Sequence, residues 1–242
     1  MGILASCGSR LLHWVFPQTC CACREDLPRE TGHPLCRACL SVLKAAEPPF
    51  CERCADRVPS GRDRCGPCSK RTFACRVIRP AFLYGGAASS LVHGFKFRGR
   101  RDAARFCGRM MALALPRFPE LGAFDGLVPV PLHPSRLRER GYNQARLLAA
   151  EIGLVHRKPV LEPLKRCRAT KPQWNLGRGE RGRNVSGGIK AAPGSAKGLR
   201  LLLIDDVCTT GATLEECARA LREGGAESVG AFVFARQALG IT

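Results

Sequence analysis

Leu201-Leu202-Leu203-Ile204-Asp205-Asp206-Val207-Cys208-Thr209-Thr210-Gly211-Ala212-Thr213 decides how the larger part of this chain folds. Its apolar opening has no polar alternation, which suits a strand buried on both faces, as in a parallel sheet covered by helices. Beyond the quoted stretch, Leu214, Cys217, Ala218 and Leu221 recur at helical spacing, with Glu215 and Glu216 in the first turn and Arg219 and Arg222 in the last. Gly224 and Gly225 end that helix, and residues 229–234 form another apolar run. Residues 200–233 thus read as strand, polar turn, helix, strand. In such a βαβ unit the working turn lies at the carboxyl end of the first strand.

That turn has the parts of an anion cradle. N–H groups at the start of a helix point outward with a favourable dipole, Gly211 permits a sharp approach, and Thr209, Thr210 and Thr213 add hydroxyl donors. A phosphate monoester fits there. Asp205 and Asp206 cannot bind that phosphate, so they serve groups of opposite character, such as sugar hydroxyls and a Mg²⁺ ion. A ribose ring bearing a terminal phosphate, adjacent hydroxyls and a Mg²⁺-bound diphosphate meets all of this, and that ligand is 5-phosphoribosyl-1-pyrophosphate (PRPP). The expected PRPP site is Asp205, Asp206, Val207, Cys208, Thr209, Thr210, Gly211, Ala212 and Thr213. A Walker-type loop is excluded because no Gly-Lys-Ser/Thr follows, and a phosphoacceptor pocket would need further acids on other strand ends.

Working outward, residues 127–130 read as a second buried strand, and residues 143–152 and 103–115 as helices. The expectation for residues 79–242 is an α/β domain with a mainly parallel sheet flanked by helices. Residues 1–78 differ in kind. Of 15 cysteines, eight stand there as four Cys-x-x-Cys pairs: Cys20/Cys23, Cys36/Cys39, Cys51/Cys54 and Cys65/Cys68. Two residues between cysteines let a tight turn aim both sulfurs at one ion, and a second such turn closes a tetrahedral shell. The spacing predicts two structural Zn²⁺ ions in a small module that lacks the apolar side chains to fold without them. Sequential and interleaved pairing both satisfy it, and Cys21 is an alternative to Cys20. A redox role is the rival, but redox motifs come singly.

Lys and Arg exceed Asp and Glu by 39 to 20, giving +19. About +5 lies in residues 1–78, which two tetrathiolate zinc sites would bring near neutral, so the basic surface belongs to the second domain. Such a surplus implies anionic partners, phosphorylated small molecules or nucleic acid. No apolar run spans a bilayer, and no basic or apolar stretch precedes the lipobox-like Leu4-Ala5-Ser6-Cys7, so a cytoplasmic protein is expected.

The quoted stretch resembles the PRPP-binding motif of type I phosphoribosyltransferases, and the chain as a whole resembles the competence protein F (ComF), or DNA-utilisation, family. The resemblance rests on the cysteine cluster from Cys20 to Cys68 and on the aromatic and basic Phe95-Lys96-Phe97-Arg98. It continues in Val128-Pro129-Val130-Pro131-Leu132-His133, Arg140-Gly141-Tyr142-Asn143-Gln144, Arg166 with Arg168-Ala169-Thr170-Lys171-Pro172-Gln173, and Arg183-Asn184-Val185. Tyr142 stands where Phe is frequent, and Gly188-Ile189 where a small residue and an aromatic are usual.

The resemblance implies a type I phosphoribosyltransferase fold behind a double zinc ribbon. It also implies that His133, Arg136 and Arg138 contact pyrophosphate, and that Arg166, Arg168, Thr170, Lys171 and Gln173 lie on a loop that closes over the reacting centre. Set against this, His133 also reads as a helix cap and the basic stretch 165–183 as a solvated loop. Phe95, Lys96, Phe97 and Arg98 read either as a stacking surface for single-stranded DNA or as a half-buried edge. Three functions follow: a DNA-uptake protein holding PRPP, single-stranded DNA and partner proteins; an active phosphoribosyltransferase on a nitrogenous acceptor; and a catalytically silent PRPP-sensing regulator.

Overall fold

The computed structural model describes residues 18–28, 31–59, 61–167 and 188–237. The cysteine-rich front folds as two knuckle pairs with little regular structure: α1 (Arg37–Ser41) follows Cys36 and α2 (Gly66–Ser69) follows Cys65. Then come β1 (Ile78–Leu83), α3 (Gly86–Phe97), α4 (Arg101–Ala114), β2 (Gly126–Pro129), α5 (Pro134–Arg140) and α6 (Gln144–His156). A short antiparallel pair, β3 (Leu164–Arg166) and β4 (Ile189–Ala191), precedes β5 (Arg200–Cys208), α7 (Ala212–Glu223) and β6 (Ser228–Arg236).

The main sheet runs β1-β6-β5-β2, and each of its pairings is parallel. Its central strands are apolar without alternation because both faces are covered. Leu202, Ile204, Phe232 and Phe234 belong to one core, with Leu91 and Phe95 of α3, Cys107 and Met111 of α4, and Leu148 and Ile152 of α6. Leu201, Leu203, Ala231 and Val233 belong to the other, with Leu214, Cys217 and Leu221 of α7. Helices α4 and α6 approach so closely that a Cβ on Gly108 would stand 2.8 Å from Glu151 Cβ.

Both cores also take in the front of the chain. Cys20, Cys21, Leu27 and Leu35 join the first, and Cys51, Cys54, Val58 and Cys68 the second. The knuckles therefore pack as part of the α/β body.

The strand expected at residues 201–204 extends through Cys208, so both acids lie on β5 itself. The Phe95–Arg98 stretch is corrected on two points. It is the last turn of α3 rather than a strand edge, and its two rings face opposite ways: Phe95 is fully buried, whereas Phe97 is 65% exposed. Burial removes Phe95 from any surface that stacks bases.

Candidate functional site

Consecutive residues of a strand point to opposite faces, and β5 uses this to separate its two acids. Asp206 turns toward α3. It is 2% exposed, its Oδ1 lies 2.6 Å from Lys96 Nζ, and its Oδ2 is buried without a hydrogen-bond partner among the described residues. Asp205 is half-buried on the other side, and its Oδ1 accepts the Asp206 N–H at 2.8 Å. Burial, followed by the Asp206 carboxylate, pushes the Asp205 carboxyl up to about 7, against the opposing pull of Lys96, the Asp206 N–H and Arg166.

The chain leaves β5 through Cys208, Thr209 and Thr210 and enters α7 at Gly211, whose φ is +78°. That conformation favours glycine, and space demands it too, since a Cβ would meet Ile78 Cδ1 at 3.3 Å. Gly211 offers no side-chain cap to α7; Thr210 Oγ1 accepts the Ala212 N–H at 3.3 Å. The first turn of a 12-residue helix is thus presented at the carboxyl end of β5. Glu215, the acid in that turn, is drawn away from it. Its carboxylate accepts N–H groups from Ala74 at 2.5 Å and Cys75 at 3.2 Å and pairs with Arg53 at 3.0 Å.

Behind the turn, Cys208 Sγ accepts a 2.8 Å hydrogen bond from Arg236, and burial raises its thiol pKa. This makes Cys208 a packed thiol and not a nucleophile.

The cysteines form two sequential tetrads, Cys20/Cys23/Cys36/Cys39 and Cys51/Cys54/Cys65/Cys68, whose sulfurs all lie within 4.8 Å of one another in each group. A tetrahedral shell with Zn–S near 2.3 Å needs sulfurs about 3.8 Å apart. Cys23 to Cys36 is 3.7 Å and Cys54 to Cys65 is 3.6 Å, so the donor sets fit zinc. Burial opposes ionisation of Cys20, yet N–H groups from Cys36, Cys23 and Ala22 bring it down to about 6. This grouping is sequential and not interleaved, and it takes Cys20 and not Cys21, whose sulfur lies instead 3.3 Å from where a Cβ on Gly94 of α3 would stand.

Residues 11–69 match the family described as double zinc ribbon domain, and residues 164–240 match the phosphoribosyl transferase domain. Competence protein F of Haemophilus influenzae is 30% identical over 227 residues, covering 91% of this chain and 98% of that protein. The chain belongs to the competence protein F family. Its α/β part has the type I phosphoribosyltransferase fold and its front is a double zinc ribbon. Competence protein ComFC of Bacillus subtilis is 33% identical, covering 90% of this chain and 84% of that one. DNA utilization protein YhgH of Escherichia coli K12 is 29% identical, covering 88% and 94%.

In this competence protein F relative, β2 ends beside β5 at the same edge of the sheet, with Pro129 opposite Ile204. The segment after β2 therefore borders the acid pair. His133 caps α5 there: its Nδ1 accepts the Ser135 N–H at 3.3 Å and lies 2.7 Å from Ser135 Oγ. Arg136, on the same helix, pairs with Glu139 at 2.9 Å, and Arg138 is exposed. Arg166 ends β3 and acts electrostatically on Asp205. Arg168, Thr170, Lys171 and Gln173 lie outside the described residues.

Lys96, expected among nucleic-acid contacts, is instead the partner of Asp206. Phe97 sits against His93 at 5.2 Å between ring centroids, with the Arg140 guanidinium 6.0 Å from its ring. Next to them a cleft of about 160 Å³ is lined by Cys21, Ala22, Arg24, Ser89, Ser90, His93 and Arg98.

Sequence reasoning missed Glu215 as an anchor, and Arg53 and Arg236 altogether. The position of Arg53 inside Cys51-x-x-Cys54 is a signal of sorts. Arg236 reaches Cys54 across 182 residues and had none.

Proposed function

We propose that this protein binds PRPP with Mg²⁺ at the turn between β5 and α7, in the cytoplasm, and serves DNA uptake or utilisation. One arrangement carries the reading: an acid pair on a central parallel strand followed by a left-handed glycine and an open helix mouth. The 5-phosphate sits on the N–H groups and hydroxyls of residues 209–213, and the ribose hydroxyls face Asp205. Mg²⁺ brought with the diphosphate supplies positive charge that the acid pair attracts. Transfer from PRPP breaks the bond to pyrophosphate through an oxocarbenium-like transition state, so the protein's task is to hold a departing polyanion. His133, Arg136 and Arg138 stand at the neighbouring strand end for that purpose, and Arg166 begins the segment that continues to Gln173. The cysteine module, residues 1–78, braces residues 79–242.

Calorimetric titration with PRPP and Mg²⁺ tests this. Saturable binding that disappears in Asp205→Asn/Asp206→Asn supports the reading, and absence of binding by the zinc-loaded protein defeats it. Pyrophosphate release during incubation with candidate bases then separates an active transferase from a PRPP-sensing regulator.

The role in DNA draws on the names of the relatives and on the +19 charge. Exposed Phe97 with His93, beside Arg24 and Arg98, offers stacking and phosphate contacts to a single strand. Affinity for single-stranded oligonucleotides should fall steeply between 50 and 200 mM salt. A flat response would remove DNA from the reading and leave the PRPP site standing.

A further inference from the structure

Two arginines, Arg236 buried and Arg53 partly so, join the second cysteine tetrad to the two ends of the turn that precedes and begins α7. Arg53 lies between Cys51 and Cys54 with its side chain 12% exposed. Its Nη1 points at Cys68 Sγ at 3.6 Å, while its Nη2 donates to Cys75 O at 3.1 Å and to Glu215 Oε2 at 3.0 Å. Arg236 ends β6 and is 3% exposed. Its Nη2 lies 3.8 Å from Cys54 Sγ and 3.5 Å from Asp56 Oδ2, and its Nη1 donates to Cys208 Sγ at 2.8 Å. One guanidinium therefore spans from Cys68 to the first turn of α7, and the other from Cys54 to the end of β5.

We infer that the second tetrad positions the anion turn through Arg53 and Arg236, so that metal held by the tetrad and ligand held at the turn tighten each other. The inference rests on the PRPP reading above. Its physics is charge balance. Four thiolates on one Zn²⁺ carry a net charge of about −2, and two guanidiniums face that charge in a poorly solvated place. Without the metal the four sulfurs are no longer gathered in one place, and the arginines lose the cluster that holds them. Arg53 then no longer fixes Glu215, and a carboxylate loosened at a helix N-terminus opposes the entry of an anion.

The first tetrad has no such link among the described residues. Arg100, at the start of α4, donates to Thr19 O at 3.2 Å and acts electrostatically on Cys20, but its guanidinium pairs with Asp102 on the same helix at 2.8 Å and makes no bridge to the anion turn. The coupling therefore belongs to one tetrad, and that makes it testable.

Thermodynamic coupling is reciprocal: if metal favours ligand binding, ligand must hold the metal more tightly. Zinc loss from the full chain to a chromophoric chelator, followed by absorbance, should show two phases. Cys68→Ser identifies the phase of the second tetrad and Cys39→Ser that of the first. Saturating PRPP with Mg²⁺ is expected to slow the second-tetrad phase about tenfold and leave the other unchanged. In Arg53→Met the slowing should vanish while both zinc ions stay bound. Glu215→Gln, which keeps an acceptor for the Ala74 N–H and gives up the oxygen shared by the Cys75 N–H and Arg53, cuts the same link from the far side should Arg53→Met fail to fold.

Equal slowing of both phases would mean general stabilisation by ligand and would overturn the inference, as would slowing that persists in both variants. Calorimetry on the same protein separates the two failures. No PRPP heat defeats the proposed function and this inference with it, whereas PRPP heat without selective slowing defeats this inference alone.

Discussion

Asp205 and Asp206 are adjacent, identical side chains in different electrical surroundings, and each difference has a measurable consequence. Asp205, pushed up to about 7, holds its proton in the folded protein over a range where the unfolded chain has lost it. The folded state therefore binds more protons between about pH 4 and pH 7, and stability falls as pH rises through that window. Asp205→Asn removes the penalty. Its melting temperature should exceed that of the parent at pH 8, with the gap shrinking as pH falls from 7 to 4. A gap that does not change with pH would contradict the raised pKa. PRPP affinity should move the other way, rising as Asp205 ionises. For Asp206 the expectation is a buried ion pair that cannot lose one member. Lys96→Met leaves the carboxylate unpaired at 2% exposure and should cost about 3–5 kcal/mol in urea unfolding. Lys96→Met/Asp206→Asn should recover most of that loss. The acid pair was legible in sequence because the apolar run in front of it fixes its place. Its lysine partner was not, since no local pattern says which face of a distant helix will meet β5.

At the scale of elements, the turn between β5 and α7 concentrates the conformational demand. Gly211→Ala forces a Cβ into a left-handed residue and to within 3.3 Å of Ile78 Cδ1, which should lower stability by about 1–2 kcal/mol. PRPP affinity should fall further than stability does, and the ratio of the two losses, read by calorimetry and denaturation, tests whether the glycine serves the site. Helix α3 poses a second test. Phe95 is fully buried and Phe97 is 65% exposed on the same turn. Phe95→Ala should cost about 3–5 kcal/mol of stability. Phe97→Ala should leave stability nearly unchanged and weaken single-stranded DNA binding by about 1–3 kcal/mol. Equal effects of the two on DNA affinity would argue against a stacking role. Strands β2, β5 and β6 and helices α4, α6 and α7 were readable because period and apolar runs report burial directly. Helix α3 escaped notice because Gly86, Ala87, Ala88, Ser89, Ser90 and Gly94 read as loop composition. What makes it a helix is close packing on the first knuckle, where Gly94 lets Cys21 approach, and that is a tertiary cause.

At the scale of the whole molecule, the composition break near residue 75 marks a change of chemistry without marking a change of core. Leu27 and Leu35 are buried together with Leu91 and Phe95, and Cys51 and Val58 together with Leu203 and Val233. Spacing alone separated the metal tetrads from the sheet. It could not show that they share an interior, since shared burial depends on contacts between segments far apart in sequence. An energetic consequence follows from the arrangement. A fragment of residues 79–242 loses Leu27, Leu35, Val58 and Ile78 from its interior, leaves Gly94 facing water where the first knuckle had covered it, and strips Arg236 of Cys54 and Asp56. Each uncovered apolar side chain forfeits about 1.5–3 kcal/mol, a large part of the 5–15 kcal/mol that holds an ordinary domain folded. The full chain with zinc should melt in one transition, and the fragment should melt more than 10 °C lower or stay unfolded. Calorimetry of both proteins in the same buffer decides the matter. A fragment that keeps the melting temperature of the full chain would mean the knuckles rest against the sheet without stabilising it.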